Sequence, residues 1–180
     1  STDVIKYVPK PDGTNGNVDV LDVPIEFHRR AAQLIEEMRG GPMAPGWEEA
    51  MLGDRVRELC SPDVDGVAYY EFKVVNPDGS DKGFIVLSTG DHDYPIAHWN
   101  YRGETPTENV EREAAQDGKE VVKFYKLDTL TYAGEDEKGE LAAMPGTQMV
   151  KISGLDMDMI DDVEDFVGSS EWTPNEETES

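Results

Sequence analysis

The chain holds a single cysteine, Cys60, and so can form no internal disulfide. It is either a cytosolic protein or an exported one that does without covalent staples. Basic residues are scarce too: 16 Lys and Arg stand against 39 Asp and Glu, a formal net charge of −23. That charge repels phosphates, which argues against nucleic acid and anionic lipid as partners and favours basic proteins and cations. A high-salt source would produce the same acidity without any function. No apolar run approaches the roughly 20 residues of a membrane span. The opening STDVIKYVPKPDG lacks the basic-then-apolar order of a secretory leader, and the compartment stays open. Apolar residues make up only 37 % of the 180, which still suffices for one domain with a real core.

Catalytic motifs are also missing. No serine sits in a G-x-S-x-G elbow, and Cys60 lies on the apolar side of an expected helix, where a thiol behaves as a small hydrophobe. The three histidines, His28, His92 and His98, fall in no C-x-x-C or H-E-x-x-H spacing, so zinc is not indicated. Abundant carboxylates could still converge for acid–base work. The expectation is a protein that is not an enzyme and needs no cofactor.

What is present reads as helices followed by strands. Residues 1–23, rich in Pro, Gly, Asn and Asp, form an extended arm. VPIEFHRRAAQLIEEMRGG has helical spacing, with Ile25, Ala32, Ile35 and Met38 on one face, Pro24 at the start and Gly40-Gly41 at the end. PGWEEAMLGDRVRELCSPD reads as a second helix, with Trp47, Met51, Val56, Leu59 and Cys60 as its stripe. Strands follow at GVAYYEFKVV, FIVLS and YPIAHWNY, the first two as a hairpin about NPDGSDKG. A short helix covers TPTENVEREAAQDG, capped by Thr105 or Thr107, and EVVKFYKLDTLTYA, LAAM and TQMVKI supply further strands. The expected fold is α+β: an antiparallel meander packed against N-terminal helices, one domain over 24–154, with 155–180 an acidic disordered tail or linker.

Two stretches invite a site. In PDVDG, Asp63 and Asp65 have the alternate-acid spacing of a calcium loop, but the closing Glu is missing and an Asx turn explains them as well. In STGDHDYPIAHWNY, Gly90 and Asp91 suit a tight turn, and Pro95 marks an edge or an interruption of the following strand. An edge strand is a template for another chain. His92, Tyr94, His98 and Tyr101 are the candidate contacts, with Trp99 on the opposite face from His98 and read as core.

Residues 68–106, AYYEFKVVNPDGSDKGFIVLSTGDHDYPIAHWNYRGETP, resemble a segment of the propeptides of streptopain-type cysteine proteases and of small inhibitors related to them. Gly83, Phe84, Ile85, Val86, Leu87, Ser88, Asp91, Tyr94, Pro95, Ile96, Tyr101 and Gly103 carry the resemblance. It implies an antiparallel sheet packed on helices and a protein-binding, inhibitory role toward a peptidase, and it tilts localisation toward secreted or periplasmic. The alternative is an acidic calcium- or ligand-binding domain, with a cell-surface setting as one option, in which Asp63 and Asp65 take the ion.

Overall fold

In a computed structural model, the structure describes residues 22–146 together with 17–18. Pro24 leads into helix α1 (Ile25–Met38), whose buried residues Phe27, Ala31, Leu34 and Ile35 follow the i, i+4, i+7, i+8 spacing of one helical face. The stripe is centred on Phe27 and not on Ala32, which is exposed; the bulky ring sets which side faces the sheet, where it lies 5.0 Å from the ring of Tyr70. Arg39 ends the helix. Its guanidinium donates to the carbonyls of Trp47, Glu48 and Ala50, tying the 40–50 loop to the helix end. The Trp47 indole N–H in turn reaches the carbonyls of Lys82 and Tyr101.

The second N-terminal helix does not form. Met51–Ser61 is a strand, β2, beside β1 (Asn17–Val18), β3 (Val64–Val75), β4 (Asp81–Ser88) and β5 (Ile96–Asn100). Val56 packs on the α1 side and Leu59 on the other, with Arg57 buried between them. A central strand buried on both faces can place apolar groups at intervals that mimic a helical stripe, while Met51, expected inside, is exposed. Helix α2 (Pro106–Gln116) starts as expected: Thr105 and Glu108 form a reciprocal capping box. The stretch EVVKFYKLDTLTYA divides into β6 (Lys123–Lys126) and β7 (Tyr132–Glu135), followed by β8 (Leu141–Ala143).

The strand order is β5-β4-β3-β2-β6-β7-β8, with β1 pairing β2. Strands β2 to β5 are the antiparallel meander, but β6 runs parallel to β2, meeting it at Cys60↔Tyr125. The sheet is therefore mixed and not purely antiparallel. The segment carrying α2 takes the chain from β5, at one end of the strand order, across to the far side of β2, where β6 pairs. Alternation then divides the core: Tyr70, Phe72, Val74, Ile85, Leu87 and Trp99 face α1, whereas Tyr69, Phe84 and Val86 face α2 and the second hairpin. The arm contributes Val23, fully buried, and the pairs Asn17↔Arg57 and Val18↔Val56. The expected strand TQMVKI and the tail 155–180 lie outside the described residues.

Gly83 has φ +107°, and a Cβ there would lie 2.0 Å from the Asn100 carbonyl oxygen. Gly83→Ala is expected to lower the unfolding free energy by more than ~3 kcal/mol, by strain and by pushing β5 from β4. Gly79→Ala, at φ +87° with nothing within 4 Å, should cost only about 1–2 kcal/mol. Urea titration of both variants checks the contrast.

Candidate functional site

The α2-facing side of the sheet carries an unusual number of polar groups. Glu71 on β3 is fully buried and accepts from the Thr107 backbone N–H (2.9 Å) and hydroxyl (2.6 Å). Arg57 on β2, also buried, donates to the Thr107 hydroxyl, pairs with Glu111 at 3.0 Å and lies over the Phe124 ring at 4.7 Å. Lys73 and Arg55 pair with Glu108 at 2.6 and 3.2 Å. The first turn of α2 is thus held by charged side chains on β2 and β3. Burial pushes the Glu71 carboxyl up to about 7, against the Thr107 hydrogen bonds and the Arg57 charge, which favour its anion.

A second row of residues runs along the same concave side. Tyr69 donates to Asp93 at 2.8 Å. The Lys126 ammonium sits over the rings of Tyr69 and Tyr132, 5.2 and 5.6 Å from their centroids, and donates to the Asp128 carbonyl. Burial brings this ammonium down to about 8, with Asp93 and Asp128 opposing. Tyr132 stacks on His98, with its hydroxyl 2.7 Å from Nδ1. That contact joins β7 to β5 across five intervening steps of strand order, so the sheet curls until its first and sixth strands meet. Burial, and secondarily the Lys126 charge, lowers the His98 imidazole to about 3, leaving it neutral at ordinary pH.

Each end of the row opens to solvent. At one end a cleft of about 320 Å³ is bounded by Phe84, His98, Asn100, Glu104, Val110 and Leu130, with Tyr132 at its back. At the other a smaller cleft of about 190 Å³ is lined by Asp63, Tyr69, His92, Asp93, Lys126 and Asp128 among others.

The residues expected as contacts are dispersed. His98 lines the larger cleft and His92 the smaller. Tyr94 is 40 % exposed, while Tyr101 packs against the α1-side core. Trp99 is buried on the face opposite His98. Asp63 borders the smaller cleft and Asp65 is exposed on β3. Among the described residues no group of three or more His, Cys, Asp or Glu is placed to hold a metal ion.

The geometry limits the chemistry. His92 Nε2 lies 3.1 Å from the Ala68 carbonyl and 3.3 Å from the Ser88 hydroxyl. A carbonyl can only accept, so Nε2 carries a proton and cannot remove one from Ser88, whose hydroxyl donates to the Gly90 carbonyl. Burial raises the Cys60 thiol and the Tyr69 and Tyr132 phenols, keeping all three protonated. Glu71, Lys126 and Tyr132 are the components that the sequence reading missed. The signal for two of them was charge set beside aromatic residues within a strand, Glu71 in AYYEFKVV and Lys126 in KFYK. No protein-family model matches the chain, and no curated protein or solved structure matches it either.

Two titrations of opposite sign follow. The raised Glu71 carboxyl contributes stability that is full below about 4.5 and is lost as pH climbs through about 7. The lowered His98 imidazole contributes stability that is full above about 6.5 and is lost as pH falls toward about 3. Relative to Glu71→Gln, the wild type should lose up to ~1.4 kcal/mol per pH unit on going up through the first window. Relative to His98→Gln it should lose stability on going down through the second. Denaturant midpoints from pH 3.5 to 8 test both, and parallel curves would rule the titrations out.

Proposed function

We propose that this chain is a non-enzymatic protein-binding module that takes an extended, basic segment of a partner along the edge strand β5. The observation that carries the reading is the position of β5. It ends the strand order and, among the described residues, pairs only with β4. Its backbone edge therefore offers donors and acceptors to an added strand. Pro95 and an irregularity in the register between Val86 and Leu87 confine the regular pairing window to a few residues. That window suits a short peptide better than uncontrolled sheet growth.

The larger cleft supports the same reading. His98 and Asn100 project from β5 into it, so alternate side chains of an added strand would enter there. The net charge of −23 selects a basic segment and speeds its approach. Non-enzymatic action is supported by the protonated His92 Nε2, the neutral His98 and the raised Cys60 thiol. The resemblance in residues 68–106 makes a streptopain-type peptidase the partner class to try first. Calcium receives less support, because Asp63 and Asp65 gain no third carboxylate among the described residues.

The test is selection from a library of random dodecapeptides, followed by hydrogen exchange. Selected peptides should be rich in Lys and Arg, and should slow amide exchange at residues 96–100. Their affinity should fall several-fold between low and physiological salt. In parallel, a mature streptopain-type peptidase should lose turnover as the domain is added. Peptides that bind without protecting β5 would end the strand-addition reading, and a peptidase unaffected at saturating domain would end the inhibitory one.

A further inference from the structure

Both ends of the sheet are open, and they face each other. Among the described residues β5 pairs only with β4, and β8 only with β7. Pro145 and Gly146, just past β8, line the larger cleft together with His98 and Asn100 of β5. The chain therefore leaves the described fold across that cleft from the free edge of β5. It leaves in a turn. Met144-Pro145-Gly146-Thr147 has proline second and, third, a glycine at φ +86°, the residues of a type II turn. Such a turn sends the next residues back beside β8, into the gap between β8 and β5. The outer strand β8 is itself well covered: Leu141 and Met144 are 8 and 0 % exposed, and belong to neither of the two cores. The last strand of a sheet ordinarily keeps alternate side chains wet, so this burial points to further chain along the edge.

Resting on the strand-addition reading, we propose that residues 147–152, TQMVKI, fill this gap as a strand of the chain's own, and that a partner's segment must displace them from β5. Three features select this occupant. Attachment through Thr147 keeps it beside the edge at an effective concentration of roughly millimolar or above. Its residues suit a strand: Thr147, Val150 and Ile152 are β-branched, and neither Pro nor Gly follows until Gly154. Six such residues span about 20 Å, enough to run the length of the five-residue β5. Its charge suits the place as well. Lys151 stands in a stretch without any acid between Glu140 and Asp156, on a chain of net charge −23. The pairing senses fix its direction. Counted through the paired strands, β8 and β5 run opposite ways, so an arm antiparallel to β8 lies parallel to β5.

The experiment uses the full chain labelled with ¹⁵N and ¹³C. Amides at 148–152 should exchange about tenfold or more slowly than in a free peptide of the same sequence. Backbone NOEs should join this stretch to β8 in the antiparallel pattern and to β5 in the parallel one. Val150→Pro removes a ladder donor outside the two cores. It should leave circular dichroism nearly unchanged while speeding exchange at the outward amides of β5 by about tenfold or more. A Lys- and Arg-rich peptide selected on β5 should bind this variant about tenfold more tightly than the wild type, because the edge is then free. Amides at 148–152 that exchange as in the free peptide, or that show NOEs to neither strand, would overturn the proposal. That result is read on the wild type and holds even where the variant misfolds. The two readings fail separately. Protected amides at 148–152 with NOEs to β5, but no peptide that protects β5 in either protein, would sink partner addition and leave the chain's own strand standing. Peptides that protect β5 equally in both proteins, with 148–152 unprotected, would do the reverse.

Discussion

The carboxyl of Glu71 and the first turn of α2 hold the concave side of this molecule in place. A helix N-terminus presents backbone N–H groups without intrahelical partners, and it favours negative charge. Glu71 supplies both an acceptor and that charge from the middle of β3, taking the Thr107 N–H and hydroxyl. Arg57 binds the same threonine and ties Glu111 one turn further on. Because α2 begins there, Glu104, Asn109 and Val110 stand opposite β5 and a cleft exists between them. The cost is a carboxyl forced toward neutrality, which places a titratable strut beneath the candidate site.

The curl of the sheet depends on β2, which shares one edge between β1 and β6 and gives the other to β3. Its α1-facing side joins the first core, and its opposite side carries Arg57 and Leu59 into the second. Once β6 is aligned with β2, the hairpin β6–β7 brings Tyr132 over His98. The curled sheet stays open at that point because side chains, and not backbone ladders, make the junction between β5 and β7. An open junction beside an edge strand is where an extended segment can add backbone hydrogen bonds and insert side chains together.

The buried polar residues differ in how far burial fixes their protonation. The Lys126 ammonium is held by ring faces and a carbonyl, and burial brings it down to about 8. Tyr69, Tyr132 and His98 are each held in one protonation state by burial. Groups fixed in this way make directional donors and acceptors, whereas Glu71, pushed up to about 7, and Lys126, brought down to about 8, titrate near neutral pH.

Local chemistry made much of this legible from residues alone. Thr105-Pro106-Thr107-Glu108 encodes the cap of α2, and NPDGS encodes the β3–β4 turn, where Asp78 accepts from the Ser80 N–H. Strict alternation placed Trp99 and His98 on opposite faces of β5. The second helix was misread because Val56, Leu59 and Cys60 are spaced for a helix, while their pairing partners, at Phe72, Tyr69 and Tyr125, lie 10 to 65 residues away. The same distance hid the site: Glu71 needs Thr107, Lys126 needs Tyr69, and His98 needs Tyr132, 34 residues on. Sequence by itself determined caps, turns, acidity and the alternation of faces, since those depend on neighbours within a few positions. The parallel step from β2 to β6, the neutral imidazole and the cleft were decided by tertiary structure, because burial and long-range pairing set them and no local pattern records either.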